Sequence, residues 1–349
     1  MTSQLSRLGC LLLVLGIIGC EQQNDPVYRD QFFAFGTLID ISLYGVEQPL
    51  AESVCRQIEQ DFMAMHASWH AWQPGSLATL NRHLSALEEH TIEPTILPLI
   101  MEAQRLSRLS AGLFNPVMGN LIALWGFHDN TLPLGTLPDK TAISEWLAQS
   151  PSSNDIAIDG TLISSRNPSV AYDLGGIAKG YAIDRAIEHL REAGIHNAII
   201  NAGGDLRAIG KHGERPWRIG IRHPRENGIL ASIDVSGDDS VFTSGDYERF
   251  FEVDGKRYHH IIDPRTGYPA MNTTSVTVIH SNAVTADAAS TALFVAGPDQ
   301  WWSTANDMGI RYVMLIDALG TIHINPAMQS RIHFEPGINA EIRLSAPLQ

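Results

Sequence analysis

The sequence predicts an α+β protein, mainly antiparallel sheet with flanking helices in a single unit. Two observations carry this. Apolar runs of strand length are joined by tight-turn dipeptides, as at Asp159-Gly160 and Asp254-Gly255, which is the pattern of hairpins. Stretches of helical spacing stand among them without a regular strand–helix alternation, which disfavours a parallel sheet. The 349 residues are 44% hydrophobic and 18% charged, so one large core needs no disulfide or metal staple.

The elements follow in order. Phe33–Tyr44 alternates as a strand, and Ala51–Trp69 has helical spacing. Pro94–Gly112 reads as a helix, with proline near its start and glycine past its end. Trp125-Gly126-Phe127 and the Pro/Gly-rich stretch to Pro138 form a loop, Lys140–Gln149 a short helix, and Ile156–Ser164 a hairpin. A helix is expected from about Gly176 to Ala193, closed by Gly194. Strands follow at Ala198–Ile200, Leu206–Ile209, Trp217–Arg222, Ile229–Val235 and Val241–Ser244, then a hairpin of Phe250–Val253 and Tyr258–Ile262. Ser275–His280 is a strand, Ala283–Ala296 and Gln300–Met308 are helices, and Tyr312–Asp317 with Thr321–Ile324 closes a last hairpin.

The net charge is −14. Nucleic-acid binding needs clustered cations, so this acidic chain is expected to bind none. An anionic ligand has to be held by a local device, such as a helix N-terminus, a lysine or a metal ion.

The first segment reads as an export address. Arg7 precedes an apolar run, Leu8–Ile18, too short for a comfortable transmembrane helix. The run ends in Ile17-Ile18-Gly19-Cys20, which resembles a bacterial lipoprotein lipobox. That resemblance implies cleavage before Cys20 and lipidation of its sulfur; a plain signal peptide or an uncleaved anchor is the other reading. The expected division is therefore a signal peptide over 1–19, a lipidated cysteine and tether over 20–31, and one domain over 32–349. Glu21, which is not Asp, favours the outer over the inner membrane by resemblance to Gram-negative lipoproteins. Of three cysteines, Cys10 leaves with the signal, and Cys55 lies on an apolar face as a packed thiol.

Several stretches can carry chemistry. Asp173-Leu174-Gly175-Gly176-Ile177-Ala178-Lys179 places two glycines and a lysine where a helix begins. That suits an approaching anion, or is a helix entry capped by Asp173. Asn201-Ala202-Gly203-Gly204-Asp205 follows a buried strand and reads as an ordinary strand-end turn. Strand alternation sets His260 and Ile262 on one face and His259 on the other. The polar turn Asp263–Gly267 after them suggests a site. Asp287 and Thr291 stand i and i+4 on a helix. A carboxylate and a hydroxyl so placed suit a hard ion such as Mg²⁺; a dipole partner and a helix back-bond are the alternative. Phe35 and Trp72 are aromatic stations that stack on a planar ring or join the core.

Taken in order, Asp173–Tyr181, Asn201–Asp205, Gly220–Pro224, Thr243–Arg249, His260–Gly267 and Ala286–Ala292 resemble the ApbE family of bacterial FAD:protein FMN transferases. Phe114-Asn115-Pro116 and Leu124–Phe127 resemble its earlier block. The resemblance implies a fold related to the tunnelling fold, FAD and Mg²⁺ in the periplasm, and transfer of FMN to an acceptor threonine with release of AMP. The implied acceptors are subunits of Nqr- and Rnf-type redox pumps carrying a segment like Asp-Gly-x-Ser/Thr-Gly-Ala-Thr, which this chain lacks. By the same resemblance, Phe35, Trp72, Phe114, Asn115, Asp173, Lys179 and Ile262 hold FAD; the Gly176 carbonyl, Asp287 and Thr291 hold the metal; and His260 stands near the scissile pyrophosphate, where an imidazole titrating near working pH is expected to be the catalytic base for the threonine hydroxyl. Phe35 replaces a common Met, Trp72 a common Tyr and Asn115 a common Asp. A Mg²⁺-dependent FAD pyrophosphatase, or a flavin-binding lipoprotein without catalysis, are the rival readings.

Overall fold

The computed structural model describes residues 27–128 and 136–349. Its frame is a nine-stranded sheet. The strands run, edge to edge, Val27–Ala34, Thr37–Tyr44, Ala198–Ala202, Asp205–Ile209, Asp238–Gly245, Thr273–His280, Tyr312–Asp317, Ile322–Ile324 and Ile342–Leu344. Every neighbouring pair is antiparallel except the last, which is parallel. The expected α+β class with a mainly antiparallel sheet is what the chain adopts.

Alternation along the strands gives the sheet two apolar faces. Phe242 and Val278 point into one core, with the helices Gln48–Trp69, Leu97–Leu109, Ala178–Glu192 and Ala283–Asp307. Their neighbours Val241 and Ile279 point into a second core. That core is closed by a three-stranded sheet of Trp217–Arg222, Ile229–Val235 and Ile332–Phe334. A third, smaller core joins Met118, Leu121, Trp125 and Phe127 to Trp146, Phe251 and Ile262. Cys55 is fully buried and burial pushes its thiol up to about 12, so it is a packed thiol.

Several expectations change. Phe33–Tyr44 is a hairpin rather than one strand. Val27–Ala34 and Thr37–Tyr44 turn at Phe35 and Gly36, both at positive φ (50° and 75°). The first strand also takes in residues 27–31, which were expected to be tether. The signal, Cys20 and Glu21 lie outside the described residues. The strand expected over Tyr258–Ile262 breaks into Lys256–His259 and Ile262–Asp263, leaving His260 between them. The helix expected from Gly176 begins at Ala178. Asp173 does not cap it but accepts from the Gly175 amide at 2.8 Å, closing the turn before it. The two helices expected around Pro298 run on from one another, broken by Gly297 at φ 70°.

The helices Ala178–Glu192 and Ala283–Asp307 cross at their first turns. Gly180 permits this, because a Cβ there would lie 2.4 Å from the Ala283 carbonyl oxygen. Asp184 accepts from the Ala283 and Val284 amides at 2.9 and 3.0 Å, satisfying donors that a helix start leaves unpaired. Arg207 holds Asp184 from the sheet side, and its Nε donates to Asp238 at 2.8 Å.

Candidate active site

A cavity of about 540 Å³ opens where the three cores meet. Phe35, Leu113 and Phe114 line it from the first core, Ile219, Ile221 and Val241 from the second, and Met118, Phe127 and Ile262 from the third. The volume lies within the range of small-molecule and cofactor sites, ~300–1,000 Å³.

The polar wall is built by the crossed helix starts and the sheet beneath them. Lys179, one residue before Gly180, forms an ion pair with Asp205. Asp205 also accepts from the Thr243 amide at 2.9 Å. Burial opposes the charge on Lys179, but Asp205 and then Asp287 outweigh it and raise its pKa. Asp287 accepts from the Gly180 amide at 2.9 Å. Burial pushes its carboxyl well above the usual range, Lys179 opposes this, and Asp205 adds to it. Thr291 lies on the same helix face and also lines the cavity; its hydroxyl is 3.4 Å from that of Ser244. Gly176 faces this wall, since a Cβ on it would stand 3.3 Å from both Thr291 Oγ1 and the Phe114 ring.

His260 lines the cavity, while His259 is buried behind it with Nε2 3.0 Å from the Ala270 carbonyl and its ring edge-on to Phe294. The expected division of faces therefore holds, although a break in the strand produces it. Burial, with His259 and Arg249 nearby, pulls the His260 imidazole down to about 3. This moves it away from the range near working pH in which the sequence reading expected it to titrate.

The structure gathers Phe35, Phe114, Asn115, Asp173, Gly176, Lys179, His260, Ile262, Asp287 and Thr291 around one cavity. Trp72 is the exception. It does not line the cavity; its indole lies near Asp173, and its ring meets that of His128 at 5.4 Å. The Asn115 side chain donates to the Pro151 carbonyl at 3.0 Å and accepts from the Val117 amide at 3.1 Å, so it shapes the wall with both ends engaged. Asp263 is clasped by Arg265 and takes no part in the lining. The polar turn Asp263–Gly267 is thus a scaffold beneath His260 and Ile262.

Asp205, Arg222, Tyr247, Glu248 and Arg249 all line the cavity; the sequence reading held them within its motifs but gave them no role. Asp205 was within reach, since Gly203 and Gly204 both take positive φ and bring that turn to the wall. Gly245 clears room for Tyr247, whose ring would lie 2.6 Å from an added Cβ. Arg222 stands over that ring at 5.3 Å.

A half-buried lysine and the buried Asp205 and Asp287 share this cavity with aromatic and aliphatic walls, the makeup of a site for a ring-bearing anion. Comparison with known proteins agrees. The ApbE family model matches residues 35–314, and the chain belongs to that family. It is 39% identical to an FAD:protein FMN transferase of Rhodobacter capsulatus over 312 residues, 89% of this chain and 60% of that protein. This chain thus spans 60% of that relative's length. The Vibrio cholerae enzyme of the same name is 32% identical, over 90% of this chain and 94% of its own. Among solved structures, the ApbE protein of Thermotoga maritima superposes with a TM-score of 0.78 at 35% identity, covering 87% of this chain and 99% of that one. The flavinyl transferase ApbE of Pseudomonas stutzeri gives 0.77 at 26% identity, over 89% and 98%.

Proposed function

We propose that this chain transfers FMN from FAD to a threonine hydroxyl of an acceptor protein. The observation that carries the reading is the convergence of Gly176, Lys179, His260, Asp287 and Thr291 on one cavity, which Phe35, Phe114 and Phe127 also line with rings able to cover a flavin. Family membership supports it, because curated relatives bear that enzyme name.

In this reading the threonine oxygen attacks the FMN phosphorus of the FAD pyrophosphate. The bond from that phosphorus to the bridging oxygen breaks, and AMP leaves. Such transfer depends on positioning and charge neutralisation more than on covalent catalysis. Lys179 brings a cation to the pyrophosphate. His260, which lines the same cavity, is placed to take the threonine proton. The apolar walls exclude water, which would compete with the acceptor.

The donors on the wall fit a divalent cation. Asp287 and Thr291 offer only oxygen, and the Asp287 carboxylate is disfavoured by burial until more positive charge arrives. Such a set suits a hard ion that keeps waters and borrows phosphate oxygens. Asp287, Thr291 and the Gly176 carbonyl would hold Mg²⁺, which when bound neutralises charge on the pyrophosphate. The acceptor is then a flavoprotein with a segment like Asp-Gly-x-Ser/Thr-Gly-Ala-Thr, as in Nqr- and Rnf-type pump subunits.

The proposal also sets the enzyme at the periplasmic face of a bacterial membrane, anchored by lipid on Cys20, with Glu21 favouring the outer membrane. Its support is the lipobox-like Ile17–Cys20 after an apolar run. Among the described residues no helix is long and apolar enough to cross a membrane.

The test mixes purified protein with FAD, Mg²⁺ and an acceptor domain. Flavin fluorescence on the denatured acceptor band is the expected result. FMN and AMP released with the acceptor unlabelled would make the chain a pyrophosphatase. FAD bound without turnover would make it a flavin carrier.

A further inference from the structure

The hairpin of Val27–Ala34 and Thr37–Tyr44 lies at the edge of the nine-stranded sheet, and its tip reaches the cavity. Phe35, Gly36 and Thr37 at that tip are lining residues. The Phe35 ring turns inward, stacked on Trp69 at 6.0 Å and edge-on to Phe62 at 5.8 Å. Thr37 seats the tip on the Gly203 turn, where an added Cβ would meet its Oγ1 at 2.3 Å.

Immediately behind this anchored tip, Phe33 and Leu38 stand directly opposite each other across the two strands. They are 61% and 48% exposed. A lone exposed apolar residue means little. Here a phenyl ring and a leucine form a cross-strand pair facing water, on a rigid support, one turn from the cavity mouth. A third exposed apolar residue borders the same cavity from another sheet. Ile229 is 51% exposed and packs over Gly220, a lining residue, with its Cδ1 3.0 Å from the position of an added Cβ. Apolar groups flanking a polar site mark a protein-binding rim. The strand Val27–Ala34 is also an edge strand, so its outer backbone groups have no partner strand among the described residues and can pair with an extended segment.

We propose that Phe33 and Leu38, with Ile229, form the docking rim for the acceptor protein, whose extended threonine-bearing segment lies along the hairpin tip as its hydroxyl enters the cavity. This rests on the FMN-transfer reading. The occupant follows from position: a macromolecular substrate whose side chain must reach this wall has to cover the residues around the mouth, and Phe33, Leu38 and Ile229 are exposed apolar residues beside it. None of the three touches the polar wall or the metal face.

The test compares Phe33→Asp with Leu38→Asp, and Ile229→Asp separately, in the full chain. FAD binding, read by flavin fluorescence quenching, and melting temperature are expected to match the parent. The KM for a folded acceptor domain is expected to rise at least about tenfold in each case, as for a central contact residue, with kcat changed little. Hydrogen exchange on the unaltered protein gives a second measurement independent of variant folding: adding acceptor should protect residues 31–38. Parent-like KM for the acceptor, or no protection over 31–38, overturns the docking rim while leaving FMN transfer intact. Absence of transfer by the parent itself overturns the underlying reading, and the rim with it.

Discussion

Asp184 and Asp287 sit on two crossed helices, and each carboxylate accepts hydrogen bonds from the backbone of the other's helix. Asp287 takes the Gly180 amide at 2.9 Å. Asp184 takes those of Ala283 and Val284 at 2.9 and 3.0 Å. The pair fixes both the spacing and the rotation of the two helices, and so fixes where Lys179 and Thr291 face the cavity.

Asp184→Ala is expected to be costly. Arg207 keeps Asp238, but the Ala283 and Val284 amides lose their acceptor, and each buried donor left unpaired costs about 1–3 kcal/mol. Chemical denaturation should show the loss. Asp184→Asn keeps one acceptor and should fall between that variant and the parent.

Asp287→Asn separates chemistry from stability. Transfer should drop by orders of magnitude, because the charged oxygen donor is gone. The folded-state pKa of Asp287 is raised above its ordinary 3.8. Its contribution to stability is thus present below the ordinary value and is lost as pH rises through the raised one. Without divalent ions, the variant should match or exceed the parent in melting temperature at pH 8, and the gap should shrink toward pH 4. Mg²⁺ should raise the melting temperature of the parent alone. A variant with normal turnover would remove Asp287 from the proposed metal face.

His260→Ala should retain FAD binding and lose transfer by roughly 10²–10⁴-fold, as for loss of a general base. High pH should restore part of the rate, since the acceptor hydroxyl then ionises more readily. Single-turnover labelling over a pH series would show whether it does.

His259→Ala should instead cost stability, because this imidazole is 2% exposed and bonded to the Ala270 carbonyl. Burial pulls its pKa from 6.5 down to about 4. The unfolded chain therefore binds a proton first, and stability should fall as pH drops from about 6.5 to about 4. A melting series in the parent should show that slope, and His259→Leu should flatten it.

Cys20→Ser should abolish lipidation and release the protein from the membrane fraction while leaving catalysis unchanged. Unaltered fractionation would refute the lipobox.

Elements with local signals were legible in the sequence. Lys140–Gln149 matches residue for residue, and Asp139 caps it by accepting from the Thr141 amide at 2.9 Å. The Asp-Gly hairpins also appear where expected. The turn at Phe35-Gly36 was not legible, because a phenylalanine at φ 50° carries no turn signal and is held there by Trp69 and Phe62. The helix Ser76–Ser85 and the short strands Ile332–Phe334 and Ile342–Leu344 escaped too. The two strands are too short for periodicity, and distant partners decide their pairing. At the site, ordered motifs pointed to residues that do line the cavity. Their electrostatics were hidden, because the Lys179–Asp205 pair and the depressed His260 arise only when separate elements are buried together.

The cavity sits at the seam of three separately packed cores rather than inside any one of them. A molecule bound there acts as a keystone, touching residues of all three cores at once. Occupancy should therefore change the cooperativity of unfolding as well as its midpoint. Calorimetry of the empty protein should give a broader transition, with the small block around Trp125 and Phe251 loosening first, and FAD should sharpen it into a single step.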